Sequence, residues 1–101
     1  MKICITSSGD SLESQIDQRF GRCSFFIIYD NKNGTFEAVA NSSINAGSGA
    51  GIQSAQFVID KQVSMVITGE IGPKAEQVLK NANIRIAINR DGSVLEAIKN
   101  I

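Results

Sequence analysis

Residues 64–79 read SMVITGEIGPKAEQVL, and this stretch decides the class of fold. Its first part, residues 64–68, is mostly apolar or β-branched, which predicts a short buried strand. The glycine-containing segment 69–72 ends that strand, and Pro73 follows in the first turn of a helix, where its missing N–H costs nothing. A strand that leads through a short loop into a helix is the building unit of an α/β protein.

Apolar stripes predict helices on both sides of this strand. The stripe that follows it has the three- and four-residue spacing of a helix face and consists of Ala75, Val78, Leu79 and Ala82. The stripe that precedes it has the same spacing and consists of Ile52, Ala55, Val58, Ile59 and Val63. We expect both sets to face the interior, on helices that connect parallel strands.

The C-terminal segment repeats the alternation of strand and helix. Residues 84–88 form another short apolar run, and residues 91–93 (DGS) precede a last helical pattern. The side chains expected to face inward on this helix are Val94, Leu95, Ile98 and Ile101. The second half of the chain therefore predicts parallel strands joined by right-handed crossovers, with helices that cover the sheet.

The first half of the chain predicts an opening strand followed by an antiparallel hairpin. Residues 2–7 (KICITS) and 24–30 (SFFIIYD) are apolar runs with β-branched or aromatic side chains. Asn and Gly within residues 31–34 favour a turn, so residues 35–40 return as the second arm of a hairpin. The sheet is therefore expected to be mixed.

Residues 10–21 are polar and irregular, although Leu12 and Ile16 lie four apart, which is compatible with a short helical turn. The chain has no internal repeat and no linker, and its 101 residues match the usual size of one domain. We expect a single α/β domain over residues 1–101.

The charge balance disfavours some classes of partner. Ten Lys and Arg are matched by ten Asp and Glu, and the two signs alternate along the chain. Nucleic acids and anionic membranes are recognised by clustered cations, so we expect neither as a partner. No apolar run approaches the ~20 residues of a membrane span, and the N-terminal MKICITSSGD has no signal-peptide pattern. With only two cysteines, the reducing cytoplasm is the expected compartment.

Catalytic chemistry has little support in the sequence. Histidine is absent, which removes the commonest general base and the commonest zinc ligand. Acidic side chains near the predicted strand ends could hold magnesium or act as acid and base, but no motif fixes their spacing. These acids are Asp10, Glu13, Asp17 and Glu70. Without histidine or a G-x-S-x-G turn, a serine nucleophile is not expected either.

Two glycine-rich loops, each followed by a predicted helix, are the main candidates for a binding site. The glycines and the lysine concerned are Gly47, Gly49 and Gly51 in the first loop, and Gly69, Gly72 and Lys74 in the second. Glycines let the backbone approach a ligand closely, and the first turn of a helix offers unpaired N–H groups to an anion. Neither loop carries a nucleotide-binding fingerprint. The alternative is that the glycines only shape tight connections.

The two cysteines lead to different expectations. Cys4 lies inside the first strand and is expected to be a small core residue. Cys23 stands at the start of the second strand, close to Arg19 and Arg22, whose charges would favour a thiolate that could bind a soft metal. A half-buried cysteine at a strand end is the alternative. Two cysteines cannot supply the four thiolates of an iron–sulfur cluster, so a cluster would have to be shared across a dimer, be partly ligated from outside, or be held with few protein ligands.

Five short motifs follow one another along nearly the whole chain: DQRFGR at 17–22, GAGIQ at 49–53, VITG at 66–69, GPKA at 72–75 and NI at 83–84. In order and spacing, this series resembles the dinitrogenase iron–molybdenum cofactor biosynthesis family, which includes NifX-type proteins and the C-terminal domain of NifB-type proteins. The family often has histidine where Arg19 stands here, so an imidazole ligand is excluded. It commonly has a small residue where Cys23 stands.

The resemblance implies a ribonuclease-H-like, three-layer α/β/α fold with a mixed five-stranded sheet. It also implies that the protein binds or carries an anionic, sulfide-rich cluster of the iron–sulfur or iron–molybdenum type and does not catalyse a reaction. The residues of this chain suited to that cargo are Arg19, Arg22, Lys74, Gly47, Gly49, Gly51, Gly69 and Gly72, with Cys23 as the candidate metal ligand.

Three functional hypotheses remain open from the sequence. The leading one is a carrier of a metal cluster, with a donor or acceptor protein as further partner, acting as a monomer or a weak homodimer. The second is a regulatory module that binds a small anion or a nucleotide in the same two loops. The third is a divalent-metal hydrolase of the ribonuclease-H type, which the balanced charge disfavours.

Overall fold

The computed structural model describes all residues from 1 to 101 and contains every predicted strand and helix. The elements are the strands β1 (Lys2–Ser7), β2 (Phe25–Asp30), β3 (Thr35–Ala40), β4 (Met65–Ile67) and β5 (Arg85–Ala87), and the helices α1 (Ala50–Asp60), α2 (Pro73–Asn81) and α3 (Val94–Lys99). No helix has the length and apolar character needed to cross a membrane.

The strands form one five-stranded sheet in the order β3-β2-β1-β4-β5. β1, β4 and β5 are parallel to one another, whereas β2 runs antiparallel to both β1 and β3. The register places Cys4 of β1 between Ile28 of β2 and Val66 of β4. The predicted mixed sheet of the α/β class is therefore confirmed, while the ribonuclease-H-like assignment stays a prediction.

Helices cover both faces of the sheet and divide the core into two clusters. Alternate side chains of each strand point to opposite faces, so Cys4 packs with α1 and α2 while its neighbours Ile3 and Ile5 pack on the side of α3. α1 and α2 contribute Val58 and Leu79 to the first cluster. The second cluster is completed by Val94, Ala97 and Ile98 of α3.

The expected inward orientation is wrong for some residues at the ends of the predicted apolar stripes. Ile52 was expected to face inward, but it lies in the first turn of α1 and its side chain is 42% exposed. Ala82 and Ile101 are also exposed, because α2 ends at Asn81 and α3 ends at Lys99, before the apolar spacing does. Periodicity identifies the inner face of a helix but not the residue at which the helix stops.

Residues 10–21 form turns and isolated β-bridges and no helix. The spacing of Leu12 and Ile16 instead brings both side chains onto the cluster beneath α3. Ile16 donates its N–H to the carbonyl oxygen of Gly92 at 2.8 Å and bridges to Ser7 at the end of β1. The segment is therefore held against the sheet edge by tertiary contacts.

One edge of the sheet collects the predicted binding loops. The carboxyl ends of β1 and β4 meet there, and their Thr6 and Thr68 hydroxyl groups are hydrogen-bonded at 2.8 Å. The amino end of β2 lies at the same edge because β2 is antiparallel. The peptide before it is held there by paired backbone bonds between Phe20 and Glu70 at 2.9 Å and between Glu70 and Gln18 at 2.6 Å.

Candidate functional site

A cleft of about 640 Å³ opens at this edge, between the first turns of α1 and α2. Three chain segments line it: residues 20–22 before β2, residues 48–52 at the start of α1, and residues 72–75 at the start of α2. The two glycine-rich loops predicted from the sequence thus contribute to one cavity. Phe20, Ile52 and Pro73 supply apolar walls.

The cleft has this shape because backbones approach one another without intervening side chains. A Cβ atom added to Gly21 would lie 2.9 Å from the Cα of Gly51, and Gly21 has a φ of +96°. A Cβ atom added to Gly51 would lie 3.3 Å from the Cβ of Ala75. The first turns of α1 and α2 are therefore in direct contact, and the peptide before β2 rests against them.

The two helix N-termini are left without internal hydrogen-bond partners. Neither N-cap residue, Gly49 in α1 or Gly72 in α2, has a side chain that could accept a bond from the first turn. In the first turns of these two helices, the amide N–H groups that donate to no acceptor in the protein belong to Ala50, Gly51, Ile52, Lys74 and Ala75. All five residues belong to the lining of the cleft, which therefore lies at the positive ends of two helix dipoles.

The charged side chains of the cleft have one sign. Arg22 and Lys74 are the only ionisable residues in its lining, and no Asp or Glu is among them. Lys74 is exposed and forms no ion pair within the chain. Together with the helix dipoles, these cations make the cleft attractive to an anion.

Arg22 lines the cleft, but most of its donors are used inside the protein. Its Nη1 donates to the carbonyl oxygens of Ile44, at 3.0 Å, and Ala46, and its Nη2 donates to that of Gly47 at 3.0 Å. These three acceptors belong to the loop between β3 and α1. The side chain therefore fastens this loop beside the cleft.

Asn41 contributes to the same arrangement, although the sequence offered no motif that singled it out. Its side chain is buried and donates from Nδ2 to the carbonyl oxygens of Gly21, at 3.0 Å, and Cys23, at 2.9 Å. Its Oδ1 accepts from the N–H of Ser43 at 2.9 Å. Asn41 therefore ties the peptide on both sides of Arg22 to the start of the β3–α1 loop.

Cys23 lies in the hydrophobic core beside α1 and is fully buried, as is Cys4. Burial is the main cause that raises the pKa of Cys23 to about 12, and the negative charge of Asp17 raises it further. Arg19 and Arg22 were expected to favour the thiolate of Cys23, but they do not lower its pKa. Arg22 binds loop carbonyl oxygens instead, and Arg19 pairs with Asp17 at 3.6 Å. This environment favours a neutral thiol.

Three other predicted site residues lie outside the cleft lining. The side chain of Arg19 is 64% exposed and donates to the carbonyl oxygen of Arg22 at 3.2 Å. Gly47 is exposed in the β3–α1 loop. Gly69 is buried, and a Cβ atom there would lie 2.7 Å from the Cα of Gln18, so this glycine permits close chain packing. The predicted residues that do line the cleft are Arg22, Gly49, Gly51, Gly72 and Lys74.

Conventional metal ligands do not gather anywhere in the protein. No group of three or more Cys, Asp or Glu side chains comes close enough to hold a metal ion. A second cavity, of about 310 Å³, lies on the opposite face beside α3 and has charges of both signs, including Arg90, Asp91 and Glu96. The cleft between α1 and α2 is therefore the site whose composition suits an anion.

The fold and the cleft define a small α/β protein with a mixed five-stranded sheet and a glycine-lined cavity between two helix N-termini. The sequence profile of the dinitrogenase iron–molybdenum cofactor family matches residues 1–101, and the chain belongs to this family.

Solved structures and a curated relative agree with this assignment. The apo form of the orange protein from Desulfovibrio gigas is 33% identical, with a TM-score of 0.94 over 98% of this chain and 84% of that chain. An NMR structure of a NifB-like protein of the DUF35 family from Thermotoga is 34% identical, with a TM-score of 0.83 over 97% of this chain and 84% of that one. An uncharacterised protein of Methanocaldococcus jannaschii is 33% identical over 85% of this chain and 75% of its own length.

Proposed function

We propose that this protein binds an anionic metal–sulfide cluster, of the iron–sulfur or iron–molybdenum type, in the cleft between α1 and α2 and carries it without catalysing a reaction. The observation that carries the proposal is the set of five unpaired amides from two adjacent helix N-termini, in a cavity that contains cations and no acid. Sulfide and oxide ligands of such clusters are hydrogen-bond acceptors with negative charge, which helix N-termini favour. Membership of the dinitrogenase iron–molybdenum cofactor family supports this cargo.

The cargo would be held mainly by hydrogen bonds and charge. The chain has two cysteines, and both are buried with raised thiol pKa values, so thiolate ligands would require a rearrangement of the core. Backbone N–H groups and Lys74 can instead contact the outer atoms of a cluster without replacing its own ligands. Non-covalent contacts of this kind suit a carrier, since they can be released to an acceptor. Cys23 as a metal ligand stays the competing prediction.

Anaerobic reconstitution with ferrous iron and sulfide tests the proposal directly. We expect the wild-type protein to retain iron and acid-labile sulfide after gel filtration and to gain visible absorption. Lys74→Gln should bind the cluster up to about fivefold more weakly, because an exposed pair of opposite charges contributes about 0.2–1 kcal/mol. Lys80→Gln is the matched control, since it removes the same charge from the other end of α2.

The Cys23→Ala variant separates the two modes of binding. We expect it to take up as much iron and sulfide as the wild type, because the thiol is buried in the core and does not line the cleft. Loss of uptake in this variant alone, with its fold intact, would establish the thiolate instead. No uptake by the wild-type protein would contradict the carrier proposal.

A second function uses the same amides and cations, namely regulation by a small anion or a nucleotide. The observation that favours it is that the cleft donors do not discriminate between a sulfide cluster and other anions. A ligand that binds only the folded state raises the melting temperature by mass action. A thermal-shift series with phosphate, sulfate and nucleoside phosphates would therefore reveal this function in a protein that takes up no cluster.

The cellular setting follows from the same reasoning. We propose a cytoplasmic protein with a single domain over residues 1–101, whose partners are the cluster and a protein that donates or accepts it. The two free thiols suit a reducing compartment. Nucleic acids and membranes are not among the proposed partners, and a monomer or weak homodimer is the proposed state. A divalent-metal hydrolase gains no support, since the acids considered for it do not gather in groups of three.

A further inference from the structure

We propose that Arg22 is a positioning residue, whose forked guanidinium orders the β3–α1 loop (residues 41–49) and thereby sets the rate at which the cleft releases its cargo. The release part of this proposal rests on the proposed carrier function. The ordering part stands on the geometry of the loop alone.

The loop has few contacts of its own. Within it, only two backbone hydrogen bonds form, from Ile44 to Asn41 at 3.4 Å and from Ala46 to Ser43 at 3.0 Å. Its sequence, NSSINAGSG, is small and polar, and such chains lose much conformational entropy when they are ordered. Fixed contacts from outside the loop are therefore needed to hold it in one position.

Arg22 supplies most of these contacts in the half of the loop nearest the cleft. Its guanidinium donates to three carbonyl oxygens of the loop, those of Ile44, Ala46 and Gly47. Asn41 fixes the other end, since it binds the carbonyl oxygens on both sides of Arg22. Arg22, in the peptide before β2, thus binds the loop after β3, and Asn41, in that loop, binds the peptide before β2.

These hydrogen bonds affect the cleft through the residues that follow Gly47. Gly47, the last carbonyl that Arg22 holds, is succeeded directly by Ser48 and Gly49, which line the cleft, and then by the unpaired amides of α1. A displaced loop would move these donors away from the position that an anion needs. Arg22 therefore acts on the ligand through the loop, in contrast to the direct cluster contact predicted from the sequence.

Lysine cannot reproduce this arrangement. A guanidinium presents its donors in a planar fork, whereas an ammonium group offers one nitrogen with the same charge. Arg22→Lys therefore keeps the charge and removes the fork, and Arg22→Gln removes both. Arg19→Gln is the matched control, because Arg19 carries the same charge but has no contact with the loop.

Hydrogen exchange of the cluster-free protein tests the ordering of the loop. The amides of Ile44 and Ala46 should exchange at least about tenfold faster in Arg22→Lys and in Arg22→Gln, since loss of about 1.4 kcal/mol is tenfold in an equilibrium. The amides of β1 and β2 should keep their exchange rates, which separates local opening from general destabilisation. Arg19→Gln should resemble the wild type.

Release of the reconstituted iron–sulfide cluster to a chelator tests the second part. Once loaded with the cluster, both Arg22 variants should lose iron several times faster than the wild type, and Arg22→Gln at least as fast as Arg22→Lys because it also removes a charge from the cleft, with little change in Arg19→Gln. Wild-type exchange rates, or wild-type release from Arg22→Lys, would overturn the positioning role and favour a simple charge effect. If the wild-type protein binds no cluster, the carrier function and the release part both fail, while hydrogen exchange still decides the ordering part.

Discussion

Single residues shape the cleft where the backbone leaves no room for a side chain. Gly21 combines a φ of +96° with a 2.9 Å approach between its missing Cβ and the Cα of Gly51. An alanine there would be strained in its own backbone and would also collide with the main chain of α1, which cannot move aside as a flexible side chain could. Glycine at this position therefore allows the peptide before β2 to lie directly against the start of α1.

We predict that Gly21→Ala lowers the free energy of unfolding by about 2 kcal/mol or more, because backbone strain of this kind costs about 1–3 kcal/mol before the collision is counted. Gly47→Ala is the paired control, since a Cβ atom there meets nothing within 4 Å and the backbone needs no positive φ. Its effect should stay within about 1 kcal/mol and can be stabilising. Urea unfolding of both variants decides the matter, and equal effects would contradict this account of Gly21.

At the scale of the elements, the three helices begin in different ways. α1 and α2 start at glycine N-caps without side-chain acceptors, whereas Ser93 caps α3 in a reciprocal box. The hydroxyl oxygen of Ser93 accepts from the N–H of Glu96 at 3.1 Å, and Oε1 of Glu96 accepts from the N–H of Ser93 at 3.0 Å. The hydrogen bond from the backbone N–H of Ser93 to the Glu96 carboxylate is the largest cause that lowers the pKa of Glu96, and the Ser93 side chain is the second. The helix distant from the cleft therefore has a side-chain cap, whereas the two helices that begin at the cleft have none.

We predict that Ser93→Ala destabilises the protein by about 1 kcal/mol, the usual loss for an N-cap serine. The pKa of Glu96 should move back toward its ordinary value, because one of the bonds that favour its charged form disappears. Urea unfolding and an NMR titration of Glu96 measure the two effects. Ser48→Ala provides a control next to an uncapped helix and should be nearly neutral, since the Ser48 hydroxyl caps nothing. An unchanged Glu96 titration would show that the Ser93 side chain does not help to lower the pKa of Glu96 and that the backbone N–H of Ser93 suffices.

At the scale of the whole molecule, the core buries two thiols in one cluster on the α1–α2 face of the sheet. Burial, followed by the charge of Cys23, raises the pKa of Cys4 well above its ordinary value, and burial also raises the pKa of Cys23 to about 12. A thiol in the unfolded chain has a pKa of about 8.5. Between these values the unfolded chain has released protons that the folded protein keeps, so alkaline conditions favour unfolding.

We predict that the free energy of unfolding is insensitive to these thiols below about pH 8 and falls above it by about 1.4 kcal/mol per pH unit for each thiol. Cys23→Ala should therefore reduce the slope by about 1.4 kcal/mol per unit between roughly pH 9.5 and 10.5. Urea unfolding at several alkaline pH values measures this slope independently of any constant loss from the substitution. A slope identical to that of the wild type would mean that the Cys23 thiol ionises freely in the folded protein.

Much of the fold could be predicted from local patterns. Residues 2–7 and 35–40 are strands with the predicted bounds, because an apolar, β-branched run indicated the first and the turn at residues 31–34 indicated the second as the return arm of a hairpin. Pro73 marked the start of α2 for a similarly local reason. Local patterns could not predict the exposure of Ile52. This residue belongs to the apolar stripe of α1, but it lines the cleft, and its side chain is exposed there.

The sequence by itself determined the order and type of the elements, the mixed character of the sheet, and the position of two glycine loops before two helices. The tertiary structure alone decided that residues 20–22 join those loops in one cleft, that Arg22 holds carbonyl oxygens, and that the Cys23 thiol is buried. The physical reason is separation along the chain. Element type depends on neighbours within a few residues, whereas Arg22 meets Gly47 and Gly21 meets Gly51 only because the strand order β3-β2-β1-β4-β5 brings their ends to one edge.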